Sequence, residues 1–167
     1  MTKDEVERSE VKVKDIMESQ PFAIGRGATV AEVMQKLSDV KVGGLPIVDE
    51  AKKVVGYIGN KDILRFLSHR PARAIDLGGA EAAAILDDEN LQQKLSKLLN
   101  TPIAKIAAKR AATVNQDATI QEASDVLYRY GARKIAVVDD VGKLVGVIQR
   151  STVIRYIFEK YLKPAGK

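Results

Sequence analysis

Two short stretches of this sequence contain the residues whose types and spacing could do chemistry. The first runs from Gly56 to Asp62 and the second from Gly146 to Thr152, and they lie 90 residues apart. Each ends an apolar strand pattern and continues into a helical one. Asp62 closes the first stretch with a carboxylate, which can accept strong hydrogen bonds from paired hydroxyl groups, whereas Thr152 takes its place in the second. We therefore expect the two stretches to share a structure and to differ in function.

The same offset extends over most of the chain, which is a tandem repeat. Residues Val13–Leu64 align with Ile103–Ile154 without a gap. A unit of this size can hardly bury a hydrophobic core by itself. We expect the two copies to pack against each other.

Each copy shows the pattern strand, helix, strand, strand, helix. A capping box predicts the start of the first helix, at Thr29 and Glu32 in one copy and at Thr119 and Glu122 in the other. Asn60 is predicted to cap the second helix of the first copy. The final helix is predicted to reach about Leu162, with an apolar side made of Val153, Ile154, Ile157 and Phe158.

The predicted boundaries are a flexible charged N-terminus (1–10), a first motif (11–68), a linker (69–102) and a second motif (103–163). The linker is too long for a bare loop. It contains Gly78-Gly79 and a helix predicted at about 88–99, with Leu91, Leu95 and Leu98 on one side. This helix is expected to cover apolar surface or to serve a dimer interface.

The composition excludes some classes of protein. The 167 residues include no cysteine, so disulfides and thiolate chemistry are excluded. No apolar run reaches the roughly 18 residues of a membrane helix, and a cytoplasmic location is expected. A net charge of +5 fits solubility and would also favour anionic partners.

Each copy resembles a CBS motif, named for cystathionine β-synthase, and the whole resembles a stand-alone CBS pair. The residues that carry the resemblance are Val13–Met17, Leu45–Asp49 and Val55–Asp62 in the first copy, and Ile106, Ile135–Asp139 and Leu144–Ile148 in the second. The resemblance implies an α/β (α+β) fold of two β-α-β-β-α motifs about a pseudo-two-fold axis, with an extra linker helix. It also implies two clefts between the motifs, where such pairs commonly bind AMP, ADP, ATP or S-adenosylmethionine.

The resemblance assigns a first cleft to residues of both copies. Asp62 would hold the ribose hydroxyls, Arg133 and Lys134 would meet the phosphates, and Ile135 would line the purine. Backbone amides near Asn60 would favour an anion. The complete set is Gly59, Asn60, Lys61, Asp62, Thr113, Arg133, Lys134, Ile135 and Ala136.

A second cleft would lack this chemistry. Thr152 offers no carboxylate, and glycines stand at the positions that match Arg133 and Lys134. This cleft is predicted to be weak or empty, and its residues are Ala23, Gly44, Leu45, Pro46, Arg150 and Thr152.

We find no catalytic or metal site in the sequence and expect no enzyme and no obligatory cofactor. His69 lies in a basic cluster with Arg65, Arg70 and Arg73 that lacks interleaved aromatics, which disfavours nucleic acid as a partner. The leading hypothesis is an adenosyl-ligand sensor that acts on an unknown protein partner and forms a homodimer. The alternative is a structural dimer module without ligand, which is favoured by Gly59 and Gln149, where the family often has Ser or Thr.

Overall fold

The computed structural model describes residues 11–68 and 90–163. Each repeat contributes the predicted order of elements. The helices are α1 (Val13–Ile16), α2 (Val30–Val40), α3 (Asn60–Leu67), α4 (Leu91–Leu99), α5 (Ile120–Arg129) and α6 (Arg150–Ile157), followed by a π-helical turn at Phe158–Leu162. The strands are β1 (Ile24–Gly25), β2 (Gly44–Val48), β3 (Val54–Gly59), β4 (Thr113–Asn115), β5 (Lys134–Val138) and β6 (Leu144–Gln149).

Each copy builds one three-stranded sheet, ordered β1-β2-β3 or β4-β5-β6. The first strand pairs in parallel with the second, through Ile24 and Ile47 in one sheet and Thr113 and Ala136 in the other. Strand β6 then runs antiparallel to β5. The α/β class and the two repeated motifs are as the sequence predicts.

The chain forms two compact units that do not coincide with the two copies. The first contains residues 11–26, Leu45–Tyr57 and 108–163 of the described chain, and the second contains Gly27–Gly44 and 58–68 with 90–107. In the first unit, the amide of Val13 donates to the carbonyl of Ala118 at 2.9 Å. Val13 belongs to the first copy but is buried in the core of the second, with Val114, Ala123, Leu127, Ile135, Val137, Ile148 and Val153.

The second unit contains the matching contact with the copies reversed. The amide of Ile103 donates to the carbonyl of Ala28 at 3.0 Å, and Ile103 is fully buried. Helix α4 packs against both α2 and α3. The segment around Val13 or Ile103 that begins each copy, here called its lead-in, therefore packs in a unit built on the other copy.

Two glycines of the repeat allow a close backbone approach within the first unit. Val147 of β6 exchanges hydrogen bonds of 2.9 and 3.0 Å with Glu18. A Cβ at Gly146 would lie 2.9 Å from the Glu18 carbonyl oxygen, and a Cβ at Gly56 would lie 2.9 Å from the Ala108 carbonyl oxygen. This contact explains the repeated glycine at positions 56 and 146.

The tips of the two β-hairpins also pair reciprocally within the first unit. The amide of Leu144 donates to the carbonyl of Lys52 at 3.0 Å, and that of Val54 donates to Gly142 at 3.1 Å. Each tip is closed by an aspartate whose side chain accepts a backbone N–H, Asp49 from Lys53 and Asp139 from Lys143.

The predicted capping boxes are confirmed. The Thr29 amide donates to Glu32 at 2.7 Å, and the Thr119 amide donates to Glu122 at 2.7 Å. These backbone bonds, with help from the threonine hydroxyls, lower the pKa of both glutamates. The predicted cap at Asn60 is wrong, because Gly59 is the N-cap and Asn60 is the first helical residue.

Several predicted apolar helix positions face solvent. Ile154 is 65% exposed and Phe158 is 52% exposed, while Val153 on the same helix is buried. Helix α4 starts at Leu91, later than the predicted residue 88, and Leu91 is 60% exposed. The patterns mark apolar faces correctly, but they do not tell which of these faces the chain itself covers.

Candidate ligand-binding residues

Asp62 is held in place by two groups of its own unit. The amide of Gly59 donates to Oδ2 at 3.0 Å, and Nη2 of Arg65 donates to Oδ1 at 3.2 Å. The carboxylate side chain is 15% exposed. Each carboxylate oxygen can accept a second hydrogen bond, so Asp62 keeps the capacity to bind two hydroxyl groups.

Arg65 contacts Asp62, and the set of residues predicted from the sequence does not include it. Its Nη2 also donates to the carbonyl of Ile106 at 3.1 Å, so it connects Asp62 to the segment that follows the 3₁₀ turn Ile103–Lys105. The signal was present in the sequence, because residues three apart on a helix lie side by side. In the sequence, Arg65 falls in the basic cluster, whose other members His69, Arg70 and Arg73 lie outside the described residues.

Four of the predicted residues of the second copy lie on one sheet of the first unit, Thr113 on β4 and Lys134, Ile135 and Ala136 on β5. Thr113 of β4 pairs with Ala136 of β5, so their side chains share a face of that sheet. Thr113 is exposed and Ala136 is buried. Ile135 points to the other face and packs in the core at 1% exposure, so a ligand at Thr113 would be on the opposite face from its side chain.

Arg133 and Lys134 have different surroundings. The carbonyl of Arg133 accepts from the amide of Arg150 at 3.1 Å, and its side chain is exposed. Nζ of Lys134 lies 3.5 Å from a carboxylate oxygen of Glu18. Arg133 is thus the more accessible of the two cations for an anion.

The same backbone contact occurs at the start of the last helix in both copies. In the first copy, the amide of Asn60 donates to the carbonyl of Gly43 at 3.0 Å. In the second copy, this contact joins the backbones of Arg150 and Arg133.

The residues predicted for the second cleft offer less chemistry. Thr152 is half-buried in the first turn of α6, and Nε of Arg150 donates to the carbonyl of Ala132 at 2.7 Å. Ala23 is half-buried, whereas Gly44, Leu45 and Pro46 are buried in β2. The carboxylate that distinguishes the first copy has no counterpart at Thr152.

Within residues 11–68 and 90–163 no group of three or more His, Asp or Glu side chains is placed to hold a metal ion. No helix in this part of the chain is long and apolar enough to cross a membrane.

A family model for the CBS domain matches the chain twice, at residues 13–69 and 103–159. The chain therefore belongs to the CBS domain family, as its repeat and its two sheets indicate. The CBS domain-containing protein CBSX1, chloroplastic, of Arabidopsis thaliana is 30% identical over 129 residues, which cover 76% of this chain and 55% of that protein.

Two solved structures have the same fold. One is CBSX2 in complex with AMP, with a TM-score of 0.65 and 23% identity, covering 89% of this chain and 96% of that one. The other is the CBS domain pair of protein MJ0100 in complex with 5′-methylthioadenosine and S-adenosyl-L-methionine, with a TM-score of 0.65 and 21% identity, covering 90% of this chain and 98% of that one.

Proposed function

We propose that this chain is a regulatory module that binds one adenosyl ligand and thereby changes its contacts with a partner or a second copy. Asp62 accepts the ribose hydroxyls of this ligand. AMP, ADP, ATP and S-adenosylmethionine are the candidate ligands. Ligand-bound relatives support this class, since CBSX2 was solved with AMP and the MJ0100 pair with two adenosyl compounds.

The observation that carries the proposal is the oriented carboxylate of Asp62. Its two hydrogen bonds fix the direction of the remaining lone pairs, and its low exposure reduces competition from water. Thr152, at the matching position of the second copy, has no such group. Asp62 also caps its own helix, so a test must separate loss of stability from loss of binding.

Thermal unfolding with AMP, ATP and S-adenosylmethionine provides this test. A ligand that binds only the folded chain at a hundredfold excess over Kd should raise Tm by roughly 5–10 °C for a domain of this size. Asp62→Ala should lower Tm without ligand and should abolish the rise. Thr152→Ala is the matched control and should keep the full rise.

A second candidate function is self-association without a ligand. Ile154, Phe158 and Tyr161 are 65%, 52% and 68% exposed and fall at helical spacing along the end of the chain. Such a stripe favours packing against another helix. Light scattering should show a dimer that Phe158→Glu dissociates and that Leu91→Glu, at another exposed apolar position, leaves intact. A monomer at all concentrations would contradict self-association.

A further inference from the structure

Asp62 and Arg65 form an ion pair that is anchored from outside their own helix. Nη2 of Arg65 lies 3.2 Å from Oδ1 of Asp62, and the same nitrogen donates to the carbonyl of Ile106 at 3.1 Å. Ile106 follows the 3₁₀ turn Ile103–Lys105, so the guanidinium is held between helix α3 and this turn. The positive charge of Arg65 is therefore kept beside the carboxylate that we propose for the ribose.

The fold does not require this ion pair. The side chain of Arg65 is 66% exposed, and an ion pair with one partner largely in water adds little to stability. The second copy has Arg155 at the position of Arg65 but Thr152 at the position of Asp62, and its helix α6 forms without the pair. The combination of a carboxylate and an arginine is thus a difference between the copies that folding does not explain.

The chain around Asp62 has a positive net charge in spite of this carboxylate. Lys61 precedes Asp62 and Lys105 precedes Ile106, so the segments 58–68 and 103–107 contain three cations and one carboxylate, a net charge of +2. A phosphate carried by a ribose bound at Asp62 would lie within the roughly 10 Å over which charges interact at 0.1 M salt. An unpaired carboxylate would repel such a phosphate, and Arg65 offsets that repulsion.

We propose that Arg65 determines which adenosyl ligand the chain binds, by favouring anionic nucleotides such as AMP and ATP over S-adenosylmethionine. This inference rests on the proposed function and deepens it. S-adenosylmethionine carries a sulfonium and an ammonium group against one carboxylate, so its net charge is positive, whereas that of AMP is negative. By neutralising Asp62, Arg65 removes both the repulsion of a phosphate and the attraction of a sulfonium centre. Arg65 is thus a positioning residue that sets specificity through Asp62.

Isothermal titration of the full chain with AMP, adenosine and S-adenosylmethionine tests this role. Adenosine has the base and ribose of AMP without the phosphate, so the ratio of the adenosine Kd to the AMP Kd measures the effect of charge separately from the orientation of Asp62. In Arg65→Gln this ratio should fall roughly 3- to 30-fold at low salt. The affinity for S-adenosylmethionine should rise relative to that for adenosine. Both changes should shrink at high salt, because the charges are screened.

Two further variants control for net charge and for side-chain shape. Arg155→Gln removes the same charge at the matching position of the second copy, where there is no carboxylate at residue 152, and should leave the ratio unchanged. Arg65→Lys keeps the charge and should restore most of the ratio that Arg65→Gln loses.

The possible results separate this inference from the proposed function. Equal weakening of all three ligands in Arg65→Gln would overturn the inference alone, because Arg65 would then only orient Asp62. Equal changes of the ratio in Arg65→Gln and Arg155→Gln would also overturn it, since net charge rather than position would then decide. If none of the three compounds bound the native chain, the proposed function would fail, and the inference would fail with it.

Discussion

The carboxylate of Asp62 has a role in the structure and a proposed role in binding. It accepts from the amide of Gly59, which is the half of a capping box that needs no side chain on the N-cap residue, and its bond from Arg65 orients the second oxygen. At the equivalent position, Thr152 keeps the helix without the charge. The two copies therefore separate the requirement of the fold from the requirement of the proposed ligand.

At the scale of residues, the lowered pKa of the two capping glutamates predicts that the stability of the folded chain depends on pH. Glu32 and Glu122 have a lowered pKa in the folded chain, against an ordinary value of 4.5. Their contribution to stability is complete above about pH 4.5 and is lost as the pH falls through the lowered folded pKa. Tm should therefore fall below pH 4.5, and the double variant Glu32→Gln/Glu122→Gln should show a shallower fall. Identical pH profiles in the two proteins would contradict this role.

At the scale of elements, the two copies use different residues in the same left-handed turns. Lys52 has a φ of 64°, where the second copy has Gly142 at 83°. A side chain in this region costs about 1–2 kcal/mol. Glycine avoids this cost but loses more conformational entropy on folding, so the net gain is smaller. Lys52→Gly should therefore stabilise the protein by roughly 0.5–1 kcal/mol in urea unfolding, and Gly142→Lys should destabilise it. A lower urea midpoint for Lys52→Gly would refute the argument.

Because residue 18 lies close to β6, a side chain added at Gly146 is predicted to destabilise the protein. In Gly146→Ala, the added Cβ would meet the Glu18 carbonyl oxygen at 2.9 Å, and overpacking of this kind costs about 1–3 kcal/mol. Gly25→Ala is the matched control, since its Cβ would find no atom within 4 Å. Equal stabilities of the two variants would show that Glu18 does not pack closely on β6.

The order of elements and the capping boxes could be predicted because they depend on local chemistry. Helix periodicity and the Thr-x-x-Glu pattern act within a few residues. The packing of each lead-in in a unit built on the other copy could not be predicted. Val13 and Ile103 are merely apolar in the sequence, and periodicity does not show in which core they are buried. The exposure of Ile154 and Phe158 was missed for a similar reason. The pair of Asp62 and Arg65 could have been found from its spacing, whereas the bond from Arg65 to the carbonyl of Ile106 required the structure.

At the scale of the whole molecule, the two copies share their packing contacts and differ in the residues proposed for binding. The hairpin tips, the close glycines and the lead-in contacts occur at matching positions in both copies. Asp62 has no chemical equivalent at its matching position. We therefore assign the proposed adenosyl ligand to one set of residues per chain, with the other set serving as scaffold.

The number of ligands bound per chain tests this claim most directly. Isothermal titration with AMP, repeated with ATP and S-adenosylmethionine, should give one binding event per chain. Asp62→Ala should remove this event and Thr152→Ala should keep it. Two ligands per chain would show that the copies are equivalent binding elements, and no heat with any of the three compounds would contradict the proposed function.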